Sequence, residues 1–210
     1  MQRLQFWFVY GSTYSYLSVA RIARLAAERQ ISVDWQPFSL LPILAERGMD
    51  KGPFLPYPDK LAYMWRDLER RAARHGLEYK RPAIYPPASR LTMRIGVLAA
   101  KEGWCREFTE AAFRLHWTEG RYIGTDDNLE AALASVGRNL EATVAAASDP
   151  TMDGAVDAQV ARAKELGIFG APSFTIGNEL FWGDDRLEEA LEWAASIHKP
   201  PKCGLTPRSS

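Results

Sequence analysis

The stretch GIFGAPSFTIGNELFWGDDRL, residues 167–187, decides how the rest of the chain is read. Gly167 follows a helical pattern and reads as a helix stop, and Gly170 frees the backbone ahead of Ala171-Pro172. Proline has no N–H to give a ladder, so at the head of a strand it marks a bend. The X-Pro bond is also where a cis peptide costs only about 0.5–1 kcal/mol. Two conformations stay open: a trans proline starting an edge strand, or a cis bond that turns the Ala171 backbone outward, its N–H and C=O available to an extended, peptide-like ligand. Beyond it the chain reads as a hairpin from Ser173 to Trp182 across Gly177-Asn178, then as an acidic helix start at Asp184-Asp185.

At the other end, Leu4, Phe6, Phe8 and Tyr10 alternate with Gln5, Trp7 and Val9. Apolar side chains on both faces predict a central strand covered on each side. It ends at Gly11; Ser12-Thr13 precede a helical run to Gln30 carrying Val19, Ile22, Ala23 and Ala26, and Ile31, Val33 and Trp35 mark a second strand closed by Pro37. Strand, helix, strand at this length implies a parallel pair with a right-handed crossover. The period then becomes helical for over a hundred residues, with stripes at Leu61, Met64, Trp65, Leu68 and Ala72, at Phe108, Ala111, Ala112 and Leu115, and at Leu129, Ala132, Leu133 and Val136. The Pro- and Gly-rich connection from Pro37 to Lys60 is expected to be irregular and on the surface, as is the break Arg81-Pro82-Ala83-Ile84-Tyr85-Pro86-Pro87. Val156, Val160, Ala163 and Leu166 give a return helix, and Leu187, Ala190, Leu191 and Ala194 a last one. The expected division is therefore residues 1–40 with 153–198 as one α/β domain, 41–152 as an all-helical insertion, and 199–210, rich in Pro, Lys and Ser, as a disordered tail.

Composition narrows the function classes. With 210 residues, 47% hydrophobic and 25% charged, the chain can bury a sizeable core. A formal net charge of zero and the lack of a basic run leave no electrostatic footprint for nucleic acid. Neither a signal-peptide pattern nor an apolar run of spanning length is present, so a soluble protein that stays in the cytoplasm is expected. Cys105 and Cys203 do not form a Cys-x-x-Cys pair, and His75, His116 and His198 stand apart from metal-ligand spacing; neither a protein thiol nor a metal is expected to do chemistry.

The two ends together resemble the halves of a thioredoxin-type site. FWFVYGSTYSYL, residues 6–17, and the Gly-Ala-Pro to Trp-Gly-Asp-Asp-Arg-Leu segment resemble the 2-hydroxychromene-2-carboxylate isomerase and kappa-class glutathione transferase family. The resemblance runs from about Leu4 to Trp193 and implies an α/β thioredoxin-like fold with a large helical insertion, DsbA-like in arrangement. The chain departs from the family pattern at Thr13, where the family has proline, at Val9, where it has aspartate, and at Lys51, which aligns with an asparagine. By the same resemblance the cofactor is glutathione: Ala171, before Pro172, pairs with its cysteinyl backbone, Asp184 and Asp185 meet its γ-glutamyl end, and Lys60, with Lys51, reaches its glycine carboxylate. Relatives also imply a homodimer.

Ser12 stands where thioredoxin-like oxidoreductases carry a redox cysteine. A hydroxyl cannot form a disulfide, which disfavours dithiol exchange, but it can donate a hydrogen bond to a sulfur held opposite it, beside the partial positive charge of a helix N-terminus. Read alone, Ser12 is an N-cap worth about 1 kcal/mol, and Asp185 is the N-cap of a capping box closed by Glu188. Read with the carboxy-terminal motif, Ser12 is the group that holds a glutathione thiolate. Tyr14, Trp65, Tyr85 and Trp117 are candidate aromatic walls for a second, aromatic small-molecule substrate, with Arg90 and Arg66 able to fork onto its carboxylate; only one or two of the aromatics are expected to touch it. The sequence thus points to a glutathione-dependent isomerase of 2-hydroxychromene-2-carboxylate or a related conjugated 2-oxo acid. A kappa-type transferase or peroxidase and a non-catalytic thioredoxin-fold binding protein are the alternatives.

Overall fold

A computed structural model describes residues 3–87 and 89–197. The expected disordered tail, with Cys203 and His198, lies outside the described residues. The first strand, β1 (Leu4–Phe8), is followed by α1 (Thr13–Glu28) and β2 (Val33–Pro37). The helical middle comprises α2 (Leu41–Ala45), α3 (Pro58–Arg74), α4 (Arg90–Glu102), α5 (Cys105–Arg114) with a π turn at Leu115–Glu119, α6 (Asp126–Ser135) and α7 (Leu140–Ser148). The chain returns through α8 (Thr151–Glu165) to the hairpin β3 (Ser173–Ile176) and β4 (Glu179–Trp182), and ends in a 3₁₀ turn at Asp184–Arg186 and α9 (Leu187–Ile197).

The strands form one sheet in the order β2-β1-β3-β4. β1 pairs parallel with β2, Phe6 opposite Trp35, and antiparallel with β3, Phe6 opposite Phe174. The double-sided apolar pattern of β1 has its cause here: Leu4, Phe6 and Phe8 enter the main core, while Trp7 faces a second cluster with Phe38, Ile43, Val160, Ala163 and Ile168. Fully burying such a side chain contributes about 1.5–3 kcal/mol. The main core runs without interruption from the sheet into the helical layer. Phe8 meets Phe113 edge-on at 6.3 Å, and Tyr10 packs against Phe108 and donates to or accepts from Thr109 Oγ1 at 2.8 Å.

Two local expectations change. The connection after Pro37 is not wholly irregular: the apolar run at Leu41–Ala45, with a proline in its first turn, forms α2 and buries Ile43 and Leu44. Trp117 is no pocket wall but a fully buried residue stacked on Tyr16 at 5.4 Å. Its neighbour His116 is buried too, with Nδ1 accepting from the Ile123 N–H at 3.1 Å; burial pushes its pKa down to about 4, so it is a neutral core residue.

Gly96 is the tightest point of the helix–sheet contact, since a Cβ there would lie 2.4 Å from the Tyr10 ring. Gly96→Ala gains helix propensity of about 1 kcal/mol but forces Tyr10 out of its aromatic nest, an overpacking cost of about 1–3 kcal/mol. A net loss of stability by urea unfolding is expected; a stabilised variant would show that α4 slides freely over Tyr10.

Candidate functional site

The site is built around the end of β1. Gly11 takes φ +80°, which places Ser12 as the N-cap of α1; its Oγ accepts from the Ser15 N–H at 3.3 Å. The cap uses an oxygen lone pair and leaves the hydroxyl proton to be donated elsewhere. Gly11 through Tyr14 line an open groove of about 1330 Å³. Such a volume exceeds the usual 300–1,000 Å³ of a small-molecule pocket and leaves room for two ligands.

Across the groove stands Ala171-Pro172, and this peptide bond is cis. Gly183 N–H donates to the Pro172 carbonyl at 2.9 Å, whereas among the described residues the Ala171 N–H and C=O take no backbone partner. The neighbouring Gly170 is needed because Trp182 lies against it: a Cβ would fall 2.2 Å from the indole nitrogen. Trp182 and Phe169, edge-on at 4.8 Å, form an aromatic rim beside Ala171.

The acidic end of the groove is a charge cluster. Asp184 is 2% exposed, and Arg71 of α3 sends both Nε (3.1 Å) and Nη2 (2.7 Å) to its Oδ2. The buried Arg21 of α1 reaches the same oxygen at 3.5 Å, donates to the Asp184 carbonyl at 3.2 Å, and also pairs with Glu188. Burial pushes the Asp184 carboxyl up to about 6, against the pull of Arg71 and Arg21; it is ionised at neutral pH. Asp185 is exposed on the groove, and here the sequence reading is corrected. Asp185 caps no helix: a 3₁₀ turn capped by Gly183 intervenes, without a side-chain cap, and Glu188 is drawn to Arg21 rather than closing a capping box.

Of the other predicted residues, Lys51, Lys60, Tyr14, Tyr85 and Arg90 all line the same groove. The Lys60 ammonium sits 5.4 Å from the Phe54 ring centroid. Tyr14 donates to Asp67 Oδ2 at 3.1 Å, and burial together with Asp67 pushes its phenol pKa up. Arg90 is paired with Asp153 at 3.2 Å, and Arg94 holds the same carboxylate. Trp65 is placed elsewhere. It is 4% exposed, edge-on to Tyr85 at 5.0 Å and covered by the Arg81 guanidinium, and with Arg66 it borders a separate shallow dent outside the groove. Sequence reasoning misses Asp67 and Arg71, although Lys60, Met64, Asp67 and Arg71 fall at helical spacing on one face of α3. Cys105 is buried against Thr109, its thiol pushed up to about 12, and is not part of the groove.

A family model described as a DSBA-like thioredoxin domain matches residues 3–192. The chain belongs to this family. Within it, this DSBA-like protein is 25% identical over 190 residues to a 2-hydroxychromene-2-carboxylate isomerase of Sphingobium xenophagum, covering 88% of this chain and 94% of that protein. A solved 2-hydroxychromene-2-carboxylate isomerase structure superposes with a TM-score of 0.82 at 26% identity, over 92% of this chain and 94% of the other. The cytosolic disulfide reductase DsbM from Pseudomonas aeruginosa, solved with GSH, shares the fold at a TM-score of 0.59 and 18% identity, over 93% of this chain and 96% of its own. The DSBA-like fold is thus shown, with relatives that are isomerases.

Because the Asp184 pKa is raised on folding, from 3.8 to about 6, its titration favours the fold at low pH, and that contribution is withdrawn as pH rises through 6. Asp184→Asn removes this dependence. The stability of wild type relative to the variant should fall by about 2 kcal/mol between pH 4 and 7, since each pH unit separating the folded from the unfolded titration is worth about 1.4 kcal/mol and part of the span lies below pH 4. Urea unfolding across that range measures it. A difference independent of pH would mean that the two arginines already ionise the carboxyl at pH 4.

Proposed function

We propose that the protein is a glutathione-dependent isomerase acting on 2-hydroxychromene-2-carboxylate or a related conjugated 2-oxo acid of aromatic catabolism. The observation that carries this reading is a serine, with no cysteine beside it, at the N-terminus of α1 in the same groove as the cis Ala171-Pro172 bond. A groove of this kind is suited to hold a sulfur that the protein itself does not supply.

Glutathione would lie extended along the cis-proline wall. Its cysteinyl backbone meets the free N–H and C=O of Ala171, its γ-glutamyl end faces Asp184 and Asp185, and its glycine carboxylate faces Lys60 and Lys51. Ser12 donates its hydroxyl proton to the sulfur, and the N-terminus of α1 adds about half a positive charge. Ordinary thiols titrate near 8.5; one hydrogen bond and one helix terminus together lower that by about 1.5, a preference for thiolate of about 2 kcal/mol. In 2-hydroxychromene-2-carboxylate the hemiketal ring first opens: the hydroxyl loses its proton as the carbonyl forms, the ring C–O bond breaks and the phenolic oxygen takes a proton. The thiolate then adds to the electron-poor end of the double bond now conjugated to that carbonyl. That bond becomes single, rotates, and re-forms as the C–S bond breaks, so glutathione is returned unchanged. Tyr14, Tyr85 and Arg90 border the space left for the substrate, with Arg90 offering a cation to its carboxylate. A cytoplasmic homodimer belongs to the same reading.

Ser12→Ala is expected to lower kcat for interconversion of 2-hydroxychromene-2-carboxylate, followed by absorbance, by several tens-fold with the circular dichroism unchanged. Unaltered turnover would remove Ser12 from the mechanism. Stoichiometric loss of glutathione would instead mark a transferase, and failure to bind it at millimolar concentration by calorimetry would mark a non-catalytic binding protein.

A further inference from the structure

Two hydroxyl groups near Ser12 are left unused by the proposed hold on the thiol. Thr13, the next residue along α1, donates from Oγ1 to Met64 Sδ at 3.5 Å, and the Tyr85 phenol donates to the same sulfur at 3.8 Å. Met64 is fully buried and Thr13 is 1% exposed, the half-buried Tyr85 lies over them, and both hydroxyl-bearing residues line the groove with Ser12. A thioether is a weak acceptor, so both protons rest on a partner that a charged oxygen easily outcompetes. Burial holds the Tyr85 phenol at a pKa of about 12, so it keeps its proton at neutral pH.

The segment carrying Tyr85 is fixed against the Ser12 turn. The Pro87 ring fills the space where a Cβ on Gly11 would stand, 2.2 Å from that position, and the Tyr85 ring is braced edge-on by Trp65. With the heavy atoms held in this way, only the hydroxyl protons turn from Met64 Sδ when charge develops next to them, and small reorganisation is the condition for strong transition-state stabilisation.

We infer that Thr13 and Tyr85 form an oxyanion-binding pair that receives the substrate's carbonyl oxygen as the thiolate adds. This rests on the isomerase reading above and deepens it. In the addition step the sulfur lone pair forms the C–S bond, the C=C π pair moves to become the enolate C=C, and the carbonyl π pair moves onto oxygen. The enolate oxygen then accepts hydrogen bonds from Tyr85 and Thr13 without taking a proton. After rotation the electrons return along the same path and the C–S bond breaks. The pair selects substrates whose double bond is conjugated to a carbonyl; an isolated alkene gives it nothing to bind.

The test uses wild type, Tyr85→Phe and Thr13→Val, with glutathione and 2-hydroxychromene-2-carboxylate. Both variants keep the shape of the side chain, and Tyr85→Phe decides the matter if Thr13→Val fails to fold. The expected result is that Tyr85→Phe lowers kcat by about tenfold to a hundredfold and Thr13→Val by less, while the glutathione Kd and the ultraviolet thiolate absorbance of bound glutathione match wild type. Wild-type kcat in Tyr85→Phe, with wild type active, overturns the oxyanion pair and leaves the isomerase reading standing. A variant that loses glutathione binding or the thiolate signal also overturns it, because the hydroxyls would then serve the thiol. A wild-type protein that neither binds glutathione nor isomerises the substrate overturns both.

Discussion

Two guanidinium groups converge on one buried carboxylate oxygen, and the groove depends on that convergence. Arg21 belongs to the helix that Ser12 caps, Arg71 to the helix that also carries Lys60, and Asp184 to the turn that follows β4. Fixing Asp184 therefore fixes three walls of the groove relative to one another. Taking these charges out of water is expensive, and pairing them only roughly restores the balance. The cluster is better understood as a device of position than as a source of stability. Loss of either arginine would leave a buried carboxylate short of partners at the place where the ligand's charged end is proposed to lie.

Cations and carboxylates both line the groove, and the whole chain carries no net charge. No long-range field draws a ligand in. Recognition must work at contact distance, through groups already engaged with one another: Arg90 with Asp153, Tyr14 with Asp67, Lys60 with the Phe54 ring. A ligand entering here exchanges partners with the protein, which favours molecules that present several charged or polar ends at once.

The parts of the structure legible in the sequence are those where local chemistry leaves little choice. A strand apolar on both faces belongs in the middle of a sheet, a serine before a helix caps it, and Gly177-Asn178 closes a hairpin. The cis state of Ala171-Pro172 is not among them, because local preference allows either isomer and tertiary context decides. Helical periodicity shows that Trp65 faces inward but not which neighbour it meets, so its placement on the core side of Tyr85 is out of reach. Asp185 fails as a cap for a related reason: the run Asp184–Arg186 tightens into a 3₁₀ turn once Asp184 is pulled inward by two arginines, a force no local pattern contains. Arg71 escapes notice because an arginine on a helix is ordinarily a solvated one, and only a distant aspartate makes it otherwise.

The uninterrupted core between sheet and helical layer has a dynamic consequence. A protein that opens by a hinge keeps its two halves separately packed; here Phe8 rests on Phe113 and Tyr10 on Phe108 across the line where a hinge would have to part. Exposing a few hundred Å² of that surface costs on the order of 5–10 kcal/mol, too much for a step repeated at every turnover. Traffic into and out of the groove falls to its rim, where Phe169 and Trp182 stand outside the main core.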